Sequence, residues 1–474
     1  MNNLYLATPE IFLLTATCLV LVIDLFLDKE DRHVTYWLAQ LSLVITLVLA
    51  WSQLGTDQTV AFSGAYVVDT MSTTLKSWIL LIAIFGFVYS REYVDEHPIA
   101  NGEYYVLGLF GVMGMMIMVS AHSMLTLYLG LELLALSLYA MVALKRDSAA
   151  ASEAAMKYFV LGALASGMLL YGMSMVYGAT GSLDLANIHA AITDGGERSV
   201  AARFGLTFII VGLAFKLGAV PFHMWLPDVY DGAPTSVTLY IATAPKIAAF
   251  AMVIRLLVDG LQGLQSDWMQ MLAILAALSL VVGNLIAIAQ TNIKRMLAYS
   301  TISHVGFLLL GMVAGTAEGY SASMFYAITY ALTTAAAFGV LLALSRQGVD
   351  AVDLDDLKGL ARRNVLLASV MMLALISLAG VPPLVGFYAK LAVLKAVING
   401  GFLWLAVLAV FMSVVGAFYY LRVIKLMFFD EPAEGTEISA PADITAALAV
   451  NGAAVLAFGL FPGLIMAVCL RAFG

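Results

Sequence analysis

The chain has 474 residues, of which 62% are hydrophobic and 11% charged, and a formal net charge of -8. A soluble globular domain carries roughly 25% charged residues, so that class is excluded. The thinly spread acidic balance, with no basic tract, excludes nucleic-acid binding. The apolar runs are long and unalternating, which fits membrane helices of about 20 residues and not the ~10-residue alternating strands of a barrel. We therefore expect an all-α polytopic membrane protein with about 14 transmembrane helices embedded in the lipid bilayer. In chain order they centre near Val20, Leu43, Ile82, Gly111, Leu134, Met168, Gly212, Leu239, Leu280, Phe307, Leu332, Leu373, Val410 and Val455. The first run, residues 11–27, has no Lys or Arg ahead of it and no small-residue cleavage site after it, so it reads as a retained span, not a signal peptide. Cys18 and Cys469 lie in apolar runs near opposite ends, and neither a disulfide nor a cluster is expected.

Loop-borne cations fix an orientation. After odd-numbered spans lie Lys29, Arg32, Arg91, Lys145, Arg146, Lys294, Arg295, Arg346, Lys358, Arg362 and Arg363; after even-numbered spans lie only Arg198, Arg203 and Arg471. With the basic side cytoplasmic, both termini are expected on the periplasmic side of a bacterial inner membrane. The sizeable loops are 53–68, 91–102, 180–202, 344–364 and 429–442, none large enough for a catalytic domain. There is no Walker A motif, no dinucleotide fingerprint and no cysteine ligand set, so the expected activity lies within the membrane.

A charge at the bilayer centre costs about 2.5–3.5 kcal/mol, so each one calls for a reason. The candidates are Glu132, Lys157, Lys216, Lys246 and Lys390. Lys157, near a helix start, reads equally as an interfacial lysine. Lys216, Lys246 and Lys390 have apolar neighbours on both sides. Desolvation favours a neutral amine and a nearby carboxylate favours the charged one, so such a lysine can load and release a proton as its partner moves. One acid with several lysines on separate helices suits a proton relay.

Two spans carry prolines in matching contexts: Gly218-Ala219-Val220-Pro221 follows Lys216, and Gly380-Val381-Pro382-Pro383 precedes Lys390. Each proline frees the carbonyl four residues earlier, Leu217 for Pro221 and Leu378 and Ala379 for Pro382 and Pro383. Broken helices at membrane depth occur inside protein or beside a water-filled cavity. The breaks fall in the seventh and twelfth spans; five helices is an odd separation, so two five-helix units would be inverted repeats. The expected division is 1–102, three N-terminal helices; 103–260, a first repeat; 261–430, a second; and 431–474, a C-terminal helix. His304, in Ser300-Thr301-Ile302-Ser303-His304, fits a proton wire or a packing role. His223 is expected to stabilise a helix end beside Asp228, and no histidine pair has zinc spacing.

The segment Phe215-Lys216-Leu217-Gly218-Ala219-Val220-Pro221-Phe222-His223-Met224-Trp225-Leu226-Pro227-Asp228-Val229-Tyr230-Asp231-Gly232-Ala233-Pro234 closely resembles the seventh-helix signature of the antiporter-like subunits of proton-translocating NADH:quinone oxidoreductase, respiratory complex I. Glu153-Ala154-Ala155-Met156-Lys157, Gln290-Thr291-Asn292-Ile293-Lys294-Arg295 and the stretch 378–390 agree with it. The wording at 228–234 and a lysine at 390, where a sister subunit carries an acid, narrow the resemblance within that group, and three extra N-terminal helices match the long bacterial form. The resemblance implies an ion pair of Glu132 with Lys216 in a first half-channel, Lys246 as a link to a central polar axis, His304 as an intervening group and Lys390 as the relay lysine of a second half-channel. It implies no cofactor on this chain, with FMN, iron–sulfur clusters and quinone held by partner subunits, and a place beside other membrane-arm subunits of complex I, sister antiporter-like subunits included. The enzyme it implies is a proton translocase to which this chain contributes no redox centre. The rivals are a subunit of a multi-subunit sodium/proton antiporter, a membrane subunit of a hydrogenase-type complex, and a structural spacer.

Overall fold

The computed structural model describes residues 3–474 apart from 29–30, 56–57, 98, 100, 194–197, 346–349 and 433–439, and apart from the side chains of 101, 198 and 199. Lys29 and Arg346, two of the cations used above for orientation, and the side chain of Arg198 lie outside the described residues. The elements run α1 (Thr8–Asp24), α2 (His33–Trp51), an antiparallel hairpin of β1 (Thr59–Ala61) and β2 (Tyr66–Val68), α3 (Thr70–Glu96), α4 (Asn101–Val119), α5 (Met124–Val142), α6 (Ala149–Thr180), α7 (Leu185–Thr193) and α8 (Arg198–Leu217). They continue with α9 (Trp225–Gly232), α10 (Thr235–Ala242), α11 (Ala244–Val253) with a π-helical extension Ile254–Gly260, α12 (Gln265–Ile288), α13 (Ile293–Val313), α14 (Ala317–Leu344), α15 (Leu360–Arg363), α16 (Val365–Ala379), α17 (Val385–Asn399), α18 (Leu403–Phe429), α19 (Ala442–Leu460) and α20 (Gly463–Arg471). Among the described residues 13 helices are long and apolar enough to cross a membrane, and the shorter α16 supplies the remaining run. All the centres expected from the sequence fall within helices.

The chain forms two compact units. The first comprises Met1–Ile84, Ala100–Leu217 and Ala244–Leu272. Within it, α4 and α5 meet at Gly114 and Gly130; a Cβ on Gly114 would stand 2.6 Å from Gly130 O, so the two backbones approach only because both positions lack side chains. Ser123 and Ser148 accept hydrogen bonds from Leu125 N and Ala151 N and so start α5 and α6, and Gly181, in the left-handed region at φ +73°, ends α6. Two ionic clusters are buried here. Lys76 on α3, fully enclosed, lies 2.6 Å from Glu10 on α1 and donates to the Tyr66 hydroxyl at 2.8 Å. Arg255, 2% exposed, pairs with Asp69 at 2.8 Å and Asp259 at 2.9 Å and donates to Val119 O at the end of α4. Burial works against the Asp69 carboxylate, yet the Arg255 charge and hydrogen bonds from Ser72 outweigh it and hold Asp69 below the usual carboxyl range.

The second unit comprises Phe85–Ile99, Gly218–Thr243 and Ala273–Gly474. Its centre is α13 and α14, both 94% buried in their spanning windows, whereas α18 and α19 present much of their length outward. Asn292, Thr316 and Asn364 cap α13, α14 and α16 through their side chains. Lys294 is no solvated loop cation as the orientation reading treats it. It sits in the first turn of α13, is 1% exposed and donates to Ala233 O at 2.7 Å, where the negative end of α9 favours a cation. Arg295 beside it bonds Asp228 at 3.1 Å. His223 lies in the turn just ahead of α9, and its Nδ1 has no hydrogen-bond partner among the described residues.

Candidate functional site

Both expected breaks are present. α8 stops at Leu217 and α9 starts at Trp225, with Gly218 at φ +84° and Pro221 between; α16 stops at Ala379 and α17 starts at Val385, with Gly380 at φ +83° and Pro382-Pro383 between. A side chain would resist the left-handed turn at either glycine, and the prolines cannot continue the helical ladder. The eighth span is broken as well: α10 ends at Ala242, α11 begins at Ala244, and Pro245 stands in its first turn.

In the first unit the freed carbonyl has a specific occupant. Lys246 on α11, only 4% exposed, donates from Nζ to Leu217 O at 3.0 Å. The carbonyl end of a helix carries partial negative charge, so an ammonium placed there is favoured. Lys216 lies one residue before that carbonyl, half-buried, and Glu132 on α5 is the carboxylate whose field reaches it. Among the described residues the pair makes no direct ion-pair contact, and Glu132 Oε1 is a buried oxygen without a hydrogen-bond partner. That same carboxylate acts electrostatically on Tyr139, two turns along α5, whose hydroxyl also has no hydrogen-bond partner among the described residues. Lys157 is not part of this group: it is exposed on α6 and pairs with Glu153 at 2.8 Å.

In the second unit Ala379 O, freed by Pro383, accepts from Lys390 Nζ at 2.9 Å. Lys390 is 7% exposed and its ammonium lies 4.7 Å from the centroid of the Phe307 ring. The Phe307 ring stacks on Tyr326, 6.1 Å between centroids. The Tyr326 hydroxyl is 2.6 Å from His304 Nδ1, and the Tyr420 hydroxyl is 3.0 Å from His304 Nε2. A neutral imidazole bridges two such hydroxyls, donating to one and accepting from the other. Tyr420 continues to Ser300, and Tyr330 donates to Thr301 at 2.8 Å. A cavity of about 10 Å³ beside His304 is lined by Tyr326, Thr329, Tyr330, Thr333 and Ser377, with polar groups enough for one water. His304, Lys390 and a break are therefore joined within one unit through aromatic and hydroxyl groups.

Residues 121–416 match the family described as NADH:quinone oxidoreductase/Mrp antiporter, TM, and residues 3–92 match NAD(P)H-quinone oxidoreductase subunit 2 N-terminal. A relative from Thioalkalivibrio sulfidiphilus, NADH-quinone oxidoreductase subunit N, is 57% identical over 97% of this chain and 96% of its own. The chain belongs to the NADH-quinone oxidoreductase subunit N family. A chain of respiratory complex I from Thermus thermophilus superposes on this subunit N family member with a TM-score of 0.84, at 35% identity, covering 98% of this chain and 100% of that one. A chain of an archaeal membrane-bound sulfane sulfur reductase gives a TM-score of 0.88 at 25% identity over 99% of this chain and 97% of that one.

Several buried polar residues, in the two ionic clusters and around Lys390, are not singled out by the sequence. Lys76 and Arg255 obey the rule that singled out Lys216, a cation inside an apolar run, but each lies near polar residues at the end of its span: Ser72-Thr73-Thr74 for Lys76 and Asp259 for Arg255. Ser413, whose Oγ accepts from Lys390 Nζ at 2.9 Å, and Tyr326 and Tyr420 beside His304 are neutral and carry no signal of that kind.

Proposed function

We propose that this chain is a proton-translocating membrane-arm subunit of a complex I-type NADH:quinone oxidoreductase, in which buried lysines relay protons in response to quinone reduction on partner subunits. The single observation that carries the reading is the pairing of an intramembrane lysine with the carbonyl freed at each helix break, Lys246 with Leu217 and Lys390 with Ala379. At such a carbonyl a lysine is held while charged and released when neutral, so its protonation and the geometry of the break are linked.

Glu132 and Lys216 form the switch of the first half-channel. When the carboxylate approaches, it favours the charged lysine; when it withdraws, the proton leaves. The partnerless Glu132 Oε1 and Tyr139 hydroxyl support the withdrawn arrangement as the one seen here. In the second half-channel His304 accepts or donates through Tyr326 and Tyr420 beside Lys390. Pro221, Pro382 and Pro383 keep the breaks open, and Lys157 serves as a peripheral group at most. The division into 1–102, 103–260, 261–430 and 431–474, with inverted repeats, belongs to the same reading, as do periplasmic termini in an inner membrane. FMN, iron–sulfur clusters and quinone are assigned to partner subunits, and the chain's own part is transport.

The test is complementation of a strain lacking this chain, read as acidification of inverted membrane vesicles. Restored NADH-driven acidification without dependence on sodium supports the proposal. Sodium-dependent exchange in the absence of NADH would hand the chain to the antiporter reading.

A further inference from the structure

The groups around the Lys390 ammonium are all neutral. It donates to Ala379 O at 2.9 Å and to Ser413 Oγ at 2.9 Å, and faces the Phe307 ring. An ammonium has three N–H donors, so two oxygens and one ring face satisfy it. Among the described residues, the carboxylates of this unit that meet Lys or Arg do so elsewhere: Asp228 and Asp231 with Arg295, Asp355 with Lys358, Glu431 with Arg362, Asp430 with Lys425 and Asp443 with Arg91. Ser413 also donates its own hydrogen to Ala379 O at 3.4 Å, closing a triangle of carbonyl, hydroxyl and ammonium.

The first break shows the same arrangement with the charge moved. There the carbonyl just before the positive-φ glycine, Leu217 O, accepts from Lys246, which sits on the span following the broken one. At the second break the span following is α18, and Ser413 on it takes the corresponding place, with Lys390 from the broken span itself as the cation. Ser413 is half-buried beside the outward-facing Val410 and Val414, so its hydroxyl separates Lys390 from the outer face of α18.

We propose that Ser413 is a positioning residue of the second break, holding the Lys390 ammonium on the Ala379 carbonyl without supplying a counter-charge. The proposal rests on the relay reading above and adds a requirement to it: the partner must be a neutral acceptor. A carboxylate in the same place would favour the charged lysine and keep its proton, whereas an apolar side chain would leave the ammonium one acceptor short.

The experiment compares Ser413→Ala, Ser413→Thr, Ser413→Asp and Lys390→Met in the intact complex, measuring protons translocated and NADH oxidised by inverted vesicles, with assembly checked on native gels. Ser413→Ala is expected to slow translocation about tenfold, the worth of one hydrogen bond to a charged group. Ser413→Thr, which keeps the hydroxyl, is expected to restore at least half of the wild-type rate, and Ser413→Asp to block at least as strongly as Ala with assembly intact. Wild-type translocation in both Ser413→Ala and Ser413→Asp, with Lys390→Met impaired, would overturn the proposal and leave the relay reading standing. Wild-type translocation in Lys390→Met would overturn the relay role of Lys390 and the proposal with it. Should Ser413→Ala fail to assemble, the Thr and Asp variants decide: equal rates in the two count against a neutral positioning hydroxyl.

Discussion

Gly380→Ala separates the backbone requirement of the second break from its hold on Lys390. Gly380 has φ +83°, and a Cβ there would stand 2.6 Å from Lys390 Cδ and 3.2 Å from its Nζ. Non-bonded carbons rest about 3.5–4.0 Å apart, so the lysine has to retreat by about 1 Å. A lysine end usually gives way cheaply, but this one is tethered at 2.9 Å to Ala379 O and Ser413 Oγ. A retreat of about 1 Å takes both contacts past the ~3.5 Å limit of a hydrogen bond, a loss of about 1.5–3 kcal/mol for each bond to the charged donor. The left-handed backbone adds about 1–2 kcal/mol for any L residue, for a total of about 4–8 kcal/mol. Gly401 is a matched control, with φ +87° and no atom within 4 Å of its Cβ position, so Gly401→Ala carries the backbone contribution alone. The assay is NADH-driven vesicle acidification together with the thermal inactivation midpoint of the assembled complex. Both variants should lose stability, but only Gly380→Ala should slow proton translocation, by at least about tenfold. Equal translocation in the two would show that the tether on Lys390 has no functional part.

Lys76→Met should cost about 3–5 kcal/mol, because it leaves Glu10 charged and enclosed, while the double change Glu10→Gln with Lys76→Met should recover most of that; equal losses in single and double variants, by melting midpoint or assembled fraction, would contradict the buried-pair account. Asp69 is held below the usual carboxyl range, so its stabilisation is complete above the unfolded value of about 4 and is lost as pH falls through the lower folded value. Asp69→Asn should therefore flatten the acid limb of the stability profile, and an unchanged acid limb would count against the Asp69–Arg255 tie.

The membrane helices and the intramembrane charges are legible in the residues because lipid makes both conspicuous: Glu132, Lys216 and Lys390 interrupt runs in which nearly every neighbour is apolar. The carbonyls freed by Pro221 and Pro383 follow from proline chemistry alone. What occupies them does not, because Lys246 reaches Leu217 from a residue 29 positions away and Ser413 reaches Ala379 across 34. Tyr326 and Tyr420 are two aromatic residues among many until the fold sets them on either side of His304. Lys294 misleads in the opposite direction, since a cation beside a turn reads as solvated while its ammonium is enclosed against Ala233 O.

The most direct measurement of the central claim is NADH-driven acidification of inverted vesicles carrying Lys216→Ala, with NADH:quinone reductase turnover followed in parallel. A relay coupled to redox chemistry predicts that acidification and turnover fall together while the complex remains assembled. Acidification and turnover both at the wild-type level would contradict the account.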